Sequence, residues 1–522
     1  MHLNDHSLRQ LDEAYIQSLD PEALRGLSLR LLADLKEARD RLNQGPENSS
    51  RPPSSRVPWE RASGGQPWGE DLADSEPTVE SADTKPADAK PVDAKPADAK
   101  PVDAKPVDAK PKRKPGKQPG APGIGRTQVF HAHEEQSHYP EVCAGCGRRL
   151  ESALTVAYTG FQAVDLHWAD PANPGLTLWV VDHRFYEVAC ACGHRTRAEA
   201  GHGEGDPLLA GVELSEWRLV GPGLAALLVA LALRFRLSRA RIQEFLDEWL
   251  GLKLSIGTIH QAIHEAGAAV APAEEELVLA VLGSTLLHAD ETSWPEHGQP
   301  LWLWVFLSTT VTLYYVAGRG KELVENVLDG FMGWLMTDGW VAYRHYPRRL
   351  RCWAHLIRKA RGLAQSYDRE ARVFGALVLS TLEALMAAVY AAREGPPVVA
   401  LPLQHAGLLA ALRTACEHHQ GSLYPKAHAL AVELLNDWEA IFQVLSHPEL
   451  PLTNNEAERA LRHWVILRKL SLGTRTATGS RVFALLASVI DTCRQRGQSP
   501  WRYLERAIAD RRAGHPLATL PR

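Results

Sequence analysis

The 522-residue chain has no uninterrupted apolar run of 18 or more residues. A bilayer-spanning helix needs about 20 such residues, and the longest candidate, Leu224–Leu233, is too short and ends against Arg234 and Arg236. The first ten residues carry His, Asn and Asp and lack the apolar core of a signal peptide, so the expectation is a cytoplasmic protein. Cysteine is scarce and odd in number: seven in all, which speaks against a disulfide framework. Nor is there a strong charge of one sign. The net charge of −4 argues against a protein that merely coats DNA.

What is present is unevenly placed. From Arg459 to the C-terminus there are 13 Lys and Arg against 3 Asp and Glu, a basic segment suited to local nucleic-acid contact. The length implies several domains. Residues 1–45 read as an N-terminal amphipathic, coiled-coil-like helix, with leucines from Leu11 to Leu42 at three- and four-residue spacing and Pro21 as an interruption. Residues 46–126 are a low-complexity linker of Pro, Lys, Asp and Ala. A pentad such as Ala-Lys-Pro-Val-Asp repeats between about Lys85 and Lys110, and proline at that density predicts disorder. The linker ends in the basic stretch Lys112–Lys117.

Residues 127–205 form a small module with two cysteine pairs, Cys143/Cys146 and Cys190/Cys192, and strand-like alternation at Leu176–Val181 and Phe185–Ala189. Four thiols at this spacing suit a tetrahedral structural Zn²⁺, with His194 as a spare ligand. Residues 206–275 read as helix-turn-helix-like and DNA-binding: Leu224–Phe235, Leu237–Leu250, a break at Gly251 and a third helix capped by Ser255.

From 276 to 365 the pattern becomes strands Ser284–Ala289, Leu301–Ser308 and Val311–Val316, helix Lys321–Leu328, strand Gly333–Thr337, then strand Leu350–Trp353 and a basic helix. This βββαβ order is that of an RNase H-like α/β core. Residues 366–450 read as a helical insertion, and 451–522 as the second part of the core. The whole is a multidomain α+β protein.

Asp290 and Asp338 each follow an apolar strand, where the rim of a sheet holds a carboxylate exposed yet rigid. Two such carboxylates can share Mg²⁺, which takes carboxylate and water oxygens. A third is offered by Asn454-Asn455-Glu456-Ala457-Glu458-Arg459-Ala460-Leu461-Arg462. Glu456 and Glu458 lie two apart, about 200° around a helix, so only one of them faces the site. Asn454 or Asn455 is a good N-cap. Cys352-Trp353-Ala354-His355 also invites a Cys/His nucleophile reading, but no oxyanion element accompanies it.

Taken together, His288–Thr292, Asp338–Tyr343, Cys352–Lys359 and Asn454–Arg462 resemble the transposases of the insertion sequence 66 group. Asn48–Ser55, Lys114–Gly120, the cysteine module and the segment with Arg468-Lys469 and Leu472-Gly473 are similar to other parts of that family. The resemblance implies a DDE triad of Asp290, Asp338 and Glu458 binding Mg²⁺ or Mn²⁺. It favours Glu458 because the family's glutamate precedes Arg-Ala-Leu-Arg. It implies cleavage and strand transfer on double-stranded DNA, at terminal inverted repeats and target, in a family whose elements often need accessory proteins; the N-terminal helix suits a homodimer or higher oligomer on that DNA. Arg358, Lys359, Arg459, Arg462, Arg468, Lys469 and Arg475 are the candidate DNA contacts. Thr453 and His463-Trp464 depart from the usual pattern, yet no triad carboxylate is lost. The competing readings are a non-catalytic sequence-specific DNA-binding protein, such as a regulator or decayed transposase, and an RNase H-like nuclease without strand transfer.

Overall fold

The computed structural model describes residues 13–44, 128–151, 155–168, 175–198 and 220–522, with Leu11 and Asn48. The repeat linker, its basic end and the Lys114–Gly120 motif lie outside the described residues. The described residues up to 48 and from 129 onward belong to one unit.

Pro21 opens a helix instead of interrupting one. Helices α1 (Glu13–Ser18) and α2 (Pro21–Leu42) are separated by Asp20, whose carboxylate accepts from the backbone N–H of Glu22 and Ala23 at 2.9 and 2.8 Å. Proline loses nothing at the first helical position, where its missing N–H would be unpaired anyway. Near the other end of α2, buried Asp40 accepts from Ser366 Oγ at 2.7 Å and from Tyr424 Oη, which fastens the helix to the insertion.

The cysteine module is a sheet of β1 (Glu134–His138), β2 (Thr155–His167), β3 (Thr177–Ala189) and β4 (Arg195–Arg197), with β3 at its centre. The two short strands expected within 176–189 are one continuous strand. The polar interruption Asp182-His183-Arg184 stays in register with Gln162, Phe161 and Gly160. His183 is buried among the rings of Phe161 and His138, and Arg184 pairs with Glu135 at 2.9 Å.

The helical region contains α3 (Pro222–Val229), a π-helical turn over Ala230–Arg234, α4 (Arg239–Leu250), α5 (Ile256–Ala269) and α6 (Ala273–Leu282). Ser238 and Ser255 cap α4 and α5 by accepting from Arg241 N and Thr258 N, and Gly251 ends α4 at φ 62°. These are the helix, break and cap read from the sequence.

The second sheet runs β7 (Thr312–Ala317), β6 (Gln299–Leu307), β5 (Leu286–Glu296), β8 (Trp334–Thr337) and β9 (Arg349–Arg351). The first three strands are antiparallel, and β8 and β9 run parallel to β5. Helix α7 (Lys321–Val327) connects β7 to β8. The sheet shares one large apolar core with α3–α6 and with α14 (Asn455–Ser471), α15 (Ala477–Gln495) and α16 (Pro500–Ala513). Edge strand β7 would leave N–H groups unpaired. Thr492 Oγ1 and Ser488 Oγ of α15 accept from Thr312 and Tyr314 at 3.1 and 2.8 Å, which explains polar residues inside an apolar helix.

Between β9 and α14 lie α8 (Trp353–Ala364), α9 (Arg369–Glu394), α10 (Leu401–Gln404), α11 (Ala406–His419), α12 (Pro425–Asn436) and α13 (Trp438–Phe442). They build a second core that also takes in Trp353, Leu356 and Leu363 of α8. By length and composition α9 could cross a bilayer, although its apolar residues form no uninterrupted run. Here Phe374, Val378, Leu382, Leu385 and Val389 form its buried stripe, at the spacing of a helix packed on its neighbours.

Candidate functional site

Asp290 does not end its strand, as the sequence had suggested. It lies inside the eleven-residue β5, which continues in a hairpin with β6 to the pair Glu296 and Gln299. What ends near Asp290 is the pairing with β8, whose last couple is His288 with Met336. Asp290 lies two residues past His288, and Asp338 lies two residues past Met336. Asp338 lies just past the end of β8, close enough that its charge acts on Asp290.

Glu458 comes from the first turns of α14. Asn454 occupies the cap position, but its side chain makes no cap hydrogen bond. It is 1% exposed, and its Nδ2 donates to the Ala289 carbonyl at 2.8 Å. Its Oδ1 therefore faces His288 Nδ1 at 3.1 Å and accepts from it, which assigns the imidazole proton to Nδ1. The Asn454 N–H donates to Cys352 Sγ at 3.2 Å. One buried asparagine thus ties β5, the end of β9 and the start of α14 together, and fixes where Glu458 stands relative to Asp290. The Cys352 thiol is buried, and burial pushes its pKa up. A buried neutral thiol is no nucleophile.

The electrostatics are those of crowded acids. Burial and then the charge of Asp338, followed by Glu291 and Glu458, push the Asp290 carboxyl well above the usual carboxylate range. Glu291 is pushed up by burial and Asp338 as well. Among the described residues no Lys or Arg pairs with Asp290 or Asp338; Glu291 N–H and Trp340 N–H donate to them at 2.9 and 2.8 Å. Glu291 is served differently. Arg319 pairs with it at 2.9 Å and Tyr343 Oη donates at 3.1 Å. The guanidinium carbon of Arg319 lies 4.0 Å from the ring centre of Trp302 and 4.8 Å from that of Trp340. Glu458 has Arg358 at 3.6 Å and His355 at 3.8 Å. Burial and the cations Arg358, Lys359 and Arg351 push His355 down to about 3, so that imidazole is neutral and its contact with Glu458 is not an ion pair. Glu456 points elsewhere: it is 54% exposed against 30% for Glu458, and pairs with Arg459 at 3.2 Å.

Glu291, next to Asp290 on β5, carried no role in the sequence reading. Nothing in the sequence marked Arg319 or Tyr343 as its partners. Of the basic candidates, three serve the fold. Lys359 pairs with Glu433 at 2.7 Å, Arg358 lies beside Glu458, and Arg468 Nη1 donates to Thr292 Oγ1 at 2.9 Å. Lys469 is exposed. Arg462 and Arg475 are exposed and make no hydrogen bond or ion pair among the described residues.

The four thiols converge. Cys143, Cys146, Cys190 and Cys192 place their sulfurs within 4.8 Å of one another, and the cluster can hold a metal ion. Gly147 at φ 69° and Gly193 at φ 86° turn the chain just past each pair, with Gly147 N–H donating to Cys143 O and Gly193 N–H to Cys190 O. His194 is not in this set, and its ring packs against the Cα of Gly145. Burial opposes ionisation of Cys143. The backbone N–H groups of Cys146 and Gly145 and the thiols of Cys192 and Cys146 outweigh it and bring its pKa to about 6, as suits a thiolate ligand.

Residues 218–482, just over half of the chain, match the family model described as Transposase IS66 family, and the match spans Asp290, Asp338 and Glu458. Three proteins of Sinorhizobium fredii, all named as uncharacterized, are similar to this chain. For y4qI the identity is 26% over 263 residues, covering 44% of this chain and 49% of the relative. For y4jO it is 28% over 171 residues (32% and 51%), and for y4hP 25% over 313 residues (52% and 55%). The chain thus spans about half the length of the curated relatives it matches. With more than half of its length matched by that one family model, the chain belongs to the IS66 family of transposases.

Proposed function

We propose that the protein is a DDE transposase with an RNase H-like core, which binds the terminal inverted repeats of its element and catalyses metal-dependent DNA cleavage and strand transfer. The observation that carries this reading is the carboxylate cluster. Asp290 and Asp338 crowd each other where the pairing of β5 with β8 ends, a buried asparagine ties the start of the Glu458 helix to β5, and among the described residues no Lys or Arg pairs with either aspartate. A donor set of carboxylate oxygens suits Mg²⁺ or Mn²⁺, with Asp290, Asp338 and Glu458 as its holders. Bound there, divalent cations supply charge stabilisation at the attacking and leaving oxygens of phosphoryl transfer.

The remaining residues position and shield. Arg319 and Tyr343 engage Glu291, which keeps that carboxylate from competing for the cation. Arg358 supports Glu458. Exposed Arg462 and Arg475, with Arg459 and Lys469 beside them, are suited to backbone phosphates. Helices α4 and α5 are suited to the duplex, and the cysteine quartet to a structural Zn²⁺ that orders its module. In this reading the protein works in the bacterial cytoplasm, as an oligomer on DNA.

The test is cleavage of a labelled duplex carrying the element's own end, with Mg²⁺. Wild type and Glu456→Gln are expected to cut, whereas Asp290→Asn and Glu458→Gln lose on the order of 10²–10³-fold or more while still binding the end. Normal cutting by Asp290→Asn refutes the assignment. Binding without cutting by wild type favours the binding-only reading.

A further inference from the structure

A cavity of about 520 Å³ opens between the β8–β9 edge of the sheet and the helical insertion, lined by Trp334, Arg348, Arg349, Glu439, Gln443 and His447 among others. Trp334 precedes Asp338 by four residues along β8, so the cavity lies about 13 Å from the carboxylates. It belongs to neither the triad nor the thiol cluster.

Arg349 is its unusual member. The residue is 6% exposed. Its Nη2 donates to Asp437 Oδ1 at 2.6 Å, but Nε and Nη1 have no partner among the described residues. A buried guanidinium with idle N–H groups is rare, because each was stripped of water without replacement. Asp437 cannot serve them further: it already takes Arg351 and has Arg344 at 3.6 Å. Glu433 is shared between Arg351 and Lys359. Of the residues that line the cavity, Arg348 and Arg349 are cationic and Glu439 is acidic, and His447 Nδ1 lies 3.3 Å from Glu449 at the rim. The idle donors of Arg349, with Arg348 beside them, point to an anion.

The other wall says which kind. The rings of Trp334 and His447 meet at 5.1 Å between centroids, inclined by 54°, and the Gln443 amide beside them can both donate and accept. An aromatic surface next to an unsaturated guanidinium suits a base joined to a phosphate. The volume falls in the range of ligand pockets, about 300–1,000 Å³. We propose that this cavity binds a nucleotide, its phosphate at Arg349 and Arg348 and its base against Trp334 and His447. That the nucleotide comes from a DNA strand lying across the carboxylates rests on the transposase reading. Binding itself does not.

The experiment is calorimetry on the full chain with thymidine 5′-monophosphate, thymidine, inorganic phosphate and a short oligothymidylate. Arg349→Lys keeps a cation for Asp437 and removes the idle nitrogens. His447→Ala removes half of the aromatic wall, and Glu439→Gln removes the rim acid. We expect the monophosphate or the oligonucleotide to bind and thymidine to fail. Arg349→Lys and His447→Ala should each weaken binding about tenfold with unchanged melting, and Glu439→Gln should strengthen it. If only the oligonucleotide binds and both variants weaken it, the source is the strand. If both probes bind, the pocket also takes free nucleotide. Phosphate binding as tightly as the nucleotide, indifferent to His447→Ala, reduces the site to an anion hole and overturns the proposal. Absent binding, or binding unchanged by both variants, overturns it too. Because no step requires cleavage, a protein that never cuts DNA can pass this test, and one that cuts can fail it.

Discussion

Asp437 and Glu433, beside β9, are carboxylates of the same kind as Asp290 and Glu291, on β5 of the same sheet, and all four are largely withdrawn from water. Their proton affinities move in opposite directions. Burial raises all of them. At Asp437 it is outweighed by Arg349, Arg351 and Arg344, and at Glu433 by Lys359 and Arg351, so both stay below the usual carboxylate range. At Asp290 the neighbours are Asp338, Glu291 and Glu458, which add to burial instead of opposing it. The first pair is a closed charge network that joins the insertion to the sheet. Around Asp290 and Asp338 the network is open, and an added cation would complete it; Glu291 has Arg319 at 2.9 Å, which burial and Asp338 outweigh. Burial of an acid alone therefore says little about its use. What decides is whether the opposite charge the protein supplies outweighs burial and the neighbouring acids.

The largest way to break this contrast is Asp437→Ala. It strands Arg349 and Arg351 in the interior without their acid, and removing one member of a buried pair costs about 3–5 kcal/mol. Chemical denaturation should show that loss. Asp290→Asn should instead leave the metal-free protein as stable as wild type or more so, by about 1 kcal/mol, because it removes a repulsion. A destabilisation of similar size for both would erase the distinction.

A smaller effect is expected at Asn454. Asn454→Ala leaves the Ala289 carbonyl and His288 Nδ1 without their partner, at a cost of about 1–3 kcal/mol. In the proposed reading it also loosens Glu458, so cleavage should fall by more than the stability loss explains, with end binding retained. Parallel denaturation and cleavage assays separate the two. An activity loss no larger than the loss of folded protein would reduce Asn454 to a structural role.

The smallest expected effect is in the pH dependence of stability without added cation. Asp290 and Glu291 have folded-state proton affinities above their unfolded values. Their contribution is therefore most favourable below the usual carboxylate range and falls away as pH rises through the raised values. Asp437 and Glu433 do the reverse: their stabilisation is present above the usual range and lost as pH falls through their lowered values. Melting of Asp290→Asn against wild type should thus diverge towards neutral pH and converge in acid. Convergence at neutral pH instead would show that Asp290 carries no raised affinity.

Much of this was legible in the sequence. The strand order, Gly251 as a helix end, Ser255 as a cap and the insertion all follow from local patterning, which the fold obeys. Asp338 stood out because it follows an apolar strand, whereas Asp290, read the same way, lies inside the longer β5. The contacts that organise the site were not legible. Asn454 reads as an N-cap, yet its amide is spent on β5, 165 residues away in sequence. Glu291 next to Asp290 carried no role in the sequence reading, and only the fold brings Arg319 and Tyr343 to it. Arg468 and Lys359 read as basic surface residues, but their partners, Thr292 and Glu433, come from elements distant in the chain. Short-range pattern marks elements and strand-end acids; long-range hydrogen bonding decides which charges are left open.

The measurement that bears most directly on the central claim is Mn²⁺ titration of the full chain at neutral pH, followed by calorimetry and by thermal melting, for wild type and Asp290→Asn. The account predicts saturable binding to wild type and a rise in melting temperature, equivalent to about 2.7 kcal/mol at a hundredfold excess over Kd, with both lost in Asp290→Asn. Equal binding and equal stabilisation in the two proteins, or none in wild type that nevertheless cuts DNA, would contradict it.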